Sequence, residues 1–179
     1  LEELVEQIYH DAVILDHERH EITLSTQPAS VMGNNVELQM AITNLVTNAI
    51  RYTPEGGSIR LFISVDNNGV HVGVEDNGIG IPRDQLDRVF ERFYQVDSSS
   101  TRRFGGSGLG LSIVREIILA HRGKIFVESE EEKGTCFLML LPVGEPDRAR
   151  MMKKTEEGGE KIPHQEEPKG NGEMILVVD

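Results

Sequence analysis

The chain has 179 residues, enough for one good core plus appendages. A formal charge of −12 argues against a nucleic-acid partner, because such binders carry a basic footprint. The single cysteine, Cys136, excludes an intramolecular disulfide framework and fits a reducing compartment, and no apolar run is long enough to span a bilayer.

Apolar residues at Leu1, Leu4, Val5, Ile8, Ala12 and Leu15 follow the spacing of an amphipathic helix within residues 1–20. Residues 21–27 alternate, with Ile22 and Leu24 on one face, and read as a strand. Asn34 or Asn35 is placed to cap a helix running to Tyr52, which the Thr53-Pro54-Glu55-Gly56-Gly57 turn ends. Residues 59–65 and 70–74 read as strands joined by a hairpin turn at Asn67-Asn68-Gly69. Residues 83–93 suggest a short helix and residues 109–121 a longer one, stopped at Arg122-Gly123. Residues 124–129 and 135–141 form a closing hairpin, in which Cys136 reads as a buried, inert thiol. After Pro142 the chain turns to Glu, Lys, Gly and Pro, the composition of a linker that buries too little surface to fold. It ends in Met174-Ile175-Leu176-Val177-Val178-Asp179, either an opening strand of a further domain or an apolar tail without a partner.

Three segments carry chemistry. Asn44, Asn48 and Arg51 stand at i, i+4 and i+7 and share one helical face, with Tyr52 beside it, while Leu38, Ile42, Leu45 and Ala49 form the face that packs. Side-chain amides are neutral oxygen donors suited to Mg²⁺, and a guanidinium fork suits phosphate; such a face is otherwise simply solvated. Asp76-Asn77-Gly78-Ile79-Gly80-Ile81-Pro82 follows a strand. Asp76 there is either a turn former or a fixed carboxylate that accepts from the exocyclic amine of adenine. Gly78 and Gly80 would admit the base where a Cβ would clash. Gly106-Ser107-Gly108-Leu109-Gly110 opens the last helix, either as a flexible loop or as a cradle whose N–H groups and helix dipole attract phosphate. It matches neither a Walker A loop nor a dinucleotide fingerprint. Between them, residues 95–104 read as a lid with Phe90 and Phe93 packed at its root, and Arg102 or Arg103 either reaches a γ-phosphate or is a surface arginine.

In this order, and with a Phe-rich stretch from Arg88 to Tyr94 between the last two, the segments resemble the N, G1, F and G2 boxes of sensor histidine kinases, over residues 21–142. The resemblance implies the two-layer α/β sandwich of the GHKL superfamily, a mixed sheet with helices on one face and a mobile ATP lid. It implies a cleft for ATP and Mg²⁺ with Asn48 as principal metal ligand and Asn44 as its neighbour; Arg51 stands where the family often has Lys or His. The remaining site positions it points to are Tyr52, Asp76, Gly78, Gly80, Ile81, Arg102, Arg103 and the run Gly106, Ser107, Gly108, Leu109 and Gly110. It divides the chain into the end of a dimerisation helix (1–20), a catalytic ATP-binding domain (21–143), a linker (144–173) and a possible first strand of a receiver domain (174–179). The implied function is transfer of the γ-phosphoryl group of ATP to a histidine on a separate dimerisation domain. A receiver domain of a response regulator would be a further partner, and the parent a homodimer. The domain would be cytoplasmic, and a membrane anchor elsewhere in the parent stays open. His10-Asp11 and His17-Glu18 lack the residues that follow an acceptor histidine, so both fit a solvated helix face. Alternatives within the superfamily are an anti-sigma-factor serine kinase, a conformational ATPase with Glu37 as its water-activating carboxylate, or a nucleotide-dependent interaction module without catalysis.

Overall fold

The computed structural model describes residues 1–96, 107–144 and 175–176. Helix α1 (Glu2–Asp16) leads into strand β1 (Glu21–Ser25), helix α2 (Asn35–Tyr52), and strands β2 (Ser58–Asp66) and β3 (Gly69–Asp76). Helix α3 (Gly110–Ala120), strands β4 (Lys124–Glu130) and β5 (Gly134–Leu141), and a two-residue strand β6 (Ile175–Leu176) follow. The strands form one sheet in the order β1-β2-β3-β5-β4-β6. β1 and β2 are parallel, which requires a crossover that α2 supplies, and the other pairings are antiparallel. The sheet is therefore mixed.

Two cross-strand rows, Leu61–Val74–Phe137–Val127 and Ile63–Val72–Met139–Ile125, face the helices and are buried. On these α2 lays Leu38, Ala41, Ile42, Leu45, Val46, Ala49 and Ile50, all buried. Each large side chain among them contributes roughly 1.5–3 kcal/mol by burial. Among the described residues the opposite face of the sheet carries no helix. Its central row runs Phe62–Gly73–Leu138–Phe126, and the Phe62 ring lies where a Cβ on Gly73 would stand. Two layers result, as expected.

α1 adds Val5, Ile8 and Ala12 to the same buried cluster. Leu15, expected on its apolar face, is 53% exposed, because the helix ends there in left-handed residues and the chain turns away. Asn34 caps α2, its side-chain oxygen accepting from the Val36 and Glu37 N–H groups. The helix expected over 83–93 is absent. A single 3-10 turn at Arg83–Gln85 is followed by turns whose bonds, Arg88 N–H to Gln85 O and Glu91 N–H to Arg88 O, close three residues back. The spacing of Leu86, Val89 and Phe90, all buried, suits such turns as well as an α-helix, which is why periodicity misread it. β6 pairs antiparallel with β4, Ile175 opposite Val127 and Leu176 opposite Phe126.

Candidate functional site

The asparagine face of α2 meets the end of β3 and the start of α3. Asn48, Ala49 and Tyr52 form one wall of an open cleft. Asn44 lies a turn away. Its Nδ2–H donates to Met40 O at 2.8 Å, and its oxygen stands 2.9 Å from where a Cβ on Gly110 would be. The amide is thus oriented with oxygen toward the glycine-led start of α3. Leu109 at that helix's N-cap brings no side-chain acceptor to the first-turn N–H groups. Arg51, in the last turn of α2, is exposed and outside the cleft wall.

Asp76 stands on the floor of the cleft for a reason visible in the pleat. Val70, Val72, Val74 and Asp76 alternate onto one face of β3, and that face is the buried one. Asp76 is therefore a carboxyl at a core position, opposite Ile59 on one side and Thr135 on the other. Burial pushes its pKa up to about 6, although the Gly78 and Thr135 N–H groups favour the charged form; Glu75 adds to the rise. The Gly78 N–H donates to Asp76 Oδ1 at 2.9 Å.

The glycines of this loop are required by the protein's own backbone, a different cause from the one the sequence suggests. A Cβ on Gly78 would run into the Tyr52 carbonyl oxygen, and Ile79 N–H donates to that oxygen at 3.1 Å. Gly80 has φ +68° and packs on the Glu130 carbonyl, while also lining the cleft. Ser129 Oγ accepts from Ile81 N–H at 2.8 Å, and Glu132 N–H donates to Ile79 O at 2.8 Å, so the β4–β5 turn straps the loop down.

The remaining walls are apolar. Ile79, Ile81, Val89, Leu111 and Phe137 close the cleft with Tyr94, Gln95, Val96 and Thr135. Phe90 is buried and meets Phe137 edge-on, and most of the lid expected at 95–104 lies outside the described residues. Phe93 does not pack inward. Its φ of +65° turns the ring out to 73% exposure, while its N–H donates to Gly108 O at 2.9 Å. Tyr94 takes the inward place, its hydroxyl donating to Gln85 at 2.9 Å and its ring covered by the Arg88 guanidinium. Of the phosphate-loop positions, Leu109 precedes α3, Gly108 has φ +67° against the Phe93 backbone, and Ser107 is exposed; none of them lines the cleft. Arg102, Arg103 and Gly106 lie outside the described residues.

The residues that sequence reasoning overlooked, Val89, Tyr94, Leu111, Thr135 and Phe137, are mostly ordinary core types, spread over the turns after Arg83, α3 and β5. Only Thr135 carried a signal, as a polar residue at an inward position of its strand. Glu37 sits beside His121 at the far end of α2 and is not a cleft residue. Cys136 is partly buried, and burial first, then Glu75 and Glu128, push its thiol up to about 12, which fits an inert group.

Residues 33–145 match the family described as histidine kinase-, DNA gyrase B-, and HSP90-like ATPase. The chain belongs to this family. Among its relatives, the phosphate regulon sensor protein PhoR of Pseudomonas aeruginosa is 41% identical over 150 residues, covering 81% of this chain and 34% of PhoR. The sensor histidine kinase WalK of Bacillus subtilis is 41% identical over 111 residues, 61% of this chain and 18% of WalK. The chain thus spans about a third or less of these proteins. Among solved structures, the mycobacterial sensor histidine kinase MprB superposes with TM-score 0.70 at 27% identity, over 79% of this chain and 93% of that one. ShkA, solved full-length with AMPPNP, gives TM-score 0.70 at 29% identity, over 80% of this chain and 30% of that one. The family's mixed sheet with helices on one face is the fold described above.

The residues present fit a nucleotide and its metal. An apolar slot ends on one half-buried carboxyl, and an oriented amide oxygen and the N-terminus of α3 lie to one side. Among the described residues no cluster of His, Cys, Asp and Glu gathers for a metal, and none of the described helices is long and apolar enough to cross a membrane.

Proposed function

We propose that this chain is the catalytic domain of a sensor histidine kinase, which binds Mg-ATP and donates its γ-phosphoryl group to a histidine on a dimerisation domain. The observation that carries the reading is Asp76, a half-buried carboxyl at the floor of an apolar cleft, two residues before the first of two glycines that the surrounding backbone requires. A base inserted between Ile79, Ile81, Leu111 and Phe137 would present its exocyclic amine to that carboxylate. Guanine, with a carbonyl oxygen at the same place, would meet repulsion.

Asn48 and Asn44 would hold Mg²⁺, which supplies charge neutralisation across the β- and γ-phosphates when bound. The start of α3, with Ser107, Gly108, Leu109 and Gly110, would direct its N–H groups at the phosphates, and Arg51 would approach them from solvent. Arg102, Arg103 and Gly106 belong to the same proposed phosphate site. In the reaction the attacking imidazole nitrogen of the partner domain forms a bond to the γ-phosphorus as the bond to the ADP oxygen breaks. The protein contributes position and charge compensation rather than covalent chemistry. The dimerisation domain is therefore a required partner, and a receiver domain would take the phosphoryl group next.

Two measurements test this. Wild-type protein with Mg²⁺ and radiolabelled ATP should phosphorylate an added histidine-bearing dimerisation domain, and Asn48→Ala should not, while still binding ADP without metal. Equal phosphorylation by both proteins would refute the metal assignment, and no transfer by either would refute the kinase reading.

A further inference from the structure

α1 ends in a buried ion pair that nothing in the nucleotide site uses. Asp16 is 1% exposed, and the His20 side chain 2%. Asp16 Oδ1 meets His20 Nδ1, Asp16 Oδ2 accepts from the His20 N–H at 2.8 Å, and His20 Nε2 lies 2.9 Å from Thr53 O. That carbonyl can only accept, so Nε2 carries a proton there. The Nδ1–Asp16 contact then needs a second proton between ring and carboxyl. Burial opposes charge on Asp16, but the hydrogen bonds from His20 and the charges of His20 and Arg19 outweigh it and hold the carboxyl below its usual range.

The contact joins two places that matter. On one side lie His17 and Glu18, consecutive left-handed residues (φ 52° and 60°) that turn the chain out of α1. Side chains with a Cβ disfavour this backbone region, so something must hold the turn. On the other side is Thr53, the C-cap of α2, directly after Tyr52, and Tyr52, Ala49 and Asn48 are cleft wall. The Arg19 carbonyl accepts from Gly56 N–H at 2.7 Å and the Gly57 carbonyl from Glu21 N–H at 2.9 Å, closing the same junction.

We infer that Asp16 and His20 are positioning residues: a clasp through which the end of α1 sets the last turn of α2, and with it Asn48 and Tyr52 of the nucleotide cleft. A shift of α1 against the sheet is then felt at the base and metal positions through this junction. The inference rests on the nucleotide-binding reading of the cleft for its consequence, though not for the clasp itself.

The test uses the full chain with four proteins: wild type, His20→Ala, His20→Gln and Asp16→Asn. Amide hydrogen exchange of the nucleotide-free protein is read at residues 49–53, with β3 and β5 as internal reference, and ADP affinity is read by calorimetry. In His20→Ala, exchange at 49–53 should quicken at least tenfold with β3 and β5 unchanged, and ADP affinity should fall at least threefold. His20→Gln, which keeps a donor for Thr53 O, should recover much of both losses, and Asp16→Asn should lie between it and His20→Ala. Unchanged exchange at 49–53, or protection lost evenly across β3 and β5, would overturn the clasp. Faster local exchange with unaltered ADP affinity, or a glutamine variant as impaired as the alanine one, would overturn its role in positioning. If wild type bound no ADP at all, the function proposed above would fail, and exchange alone would still decide the clasp.

Discussion

Replacing Asp76 by asparagine should strengthen the fold and weaken nucleotide binding, because the same burial has opposite effects on the two. The folded protein holds a proton on Asp76 up to about pH 6, against an ordinary value of 3.8. The sign follows from linkage. The folded state binds the proton more tightly, so the associated stability is fully present below pH 3.8 and is lost as pH rises through 6. At neutral pH the wild type has lost about 3 kcal/mol, from roughly two pKa units at about 1.4 kcal/mol each. Asparagine carries no charge to desolvate, and its oxygen can still accept from Gly78 N–H. The amide has one acceptor oxygen where the carboxylate has two, so losing the Thr135 N–H bond offsets about 1 kcal/mol. A net gain of about 1–2 kcal/mol should raise the melting temperature at pH 7 by about 2–8 °C. Near about pH 4.5 the wild type recovers most of its deficit and the two curves should converge. ADP affinity should move the other way, by about 1–3 kcal/mol or roughly 5–150-fold, as a donor replaces the acceptor facing the adenine amine. Thermal melts at the two pH values and calorimetry at pH 7 read all three quantities. A mutant that melts lower than wild type at pH 7, a difference that does not narrow on acidification, or unchanged ADP affinity would refute the account of Asp76.

In the wild type, ADP affinity should fall about tenfold at about pH 5, if only the ionised carboxylate receives the base; a flat calorimetric profile from pH 7.5 to 5 would contradict it. Gly80→Ala puts a Cβ onto the Glu130 carbonyl at a left-handed φ, so urea unfolding should show a loss of about 2–3 kcal/mol along with weaker ADP binding. Deleting everything after Gly144 removes only the two-residue pairing of β6 with β4 from the described sheet. Melting temperature and ADP affinity should then stay nearly unchanged; a large drop in stability would make the tail part of this fold and weaken its reading as the opening strand of a receiver domain.

The strands, the three α-helices and the cap at Asn34 were legible in the sequence because each is written locally, in alternation, in 3.6-residue spacing or in one capping side chain. The asparagine helix, the Asp76 loop and the glycines before α3 were legible for the same reason, since contiguous residues declare them. What lay between the boxes was less so. The run from Arg83 to Phe93 has the periodicity of a helix, yet its i to i+3 bonds fold it as turns, and a positive φ sends Phe93 outward and brings Tyr94 in. The apolar walls Val89, Leu111 and Phe137 come from three elements that meet only when the sheet is closed, and as core residue types they carry no mark of a ligand. Gly78 and Gly80 were recognised as necessary, but the carbonyls of Tyr52 and Glu130 that make them so are 26 and 50 residues away in the chain. His20 shows the limit most clearly. In the sequence it is one of six histidines on a polar stretch. Only the packing of α1 along α2 buries it beside Asp16 and brings it to the carbonyl of Thr53, because burial and long-range hydrogen bonds are properties of the assembled layers and not of any window of the chain.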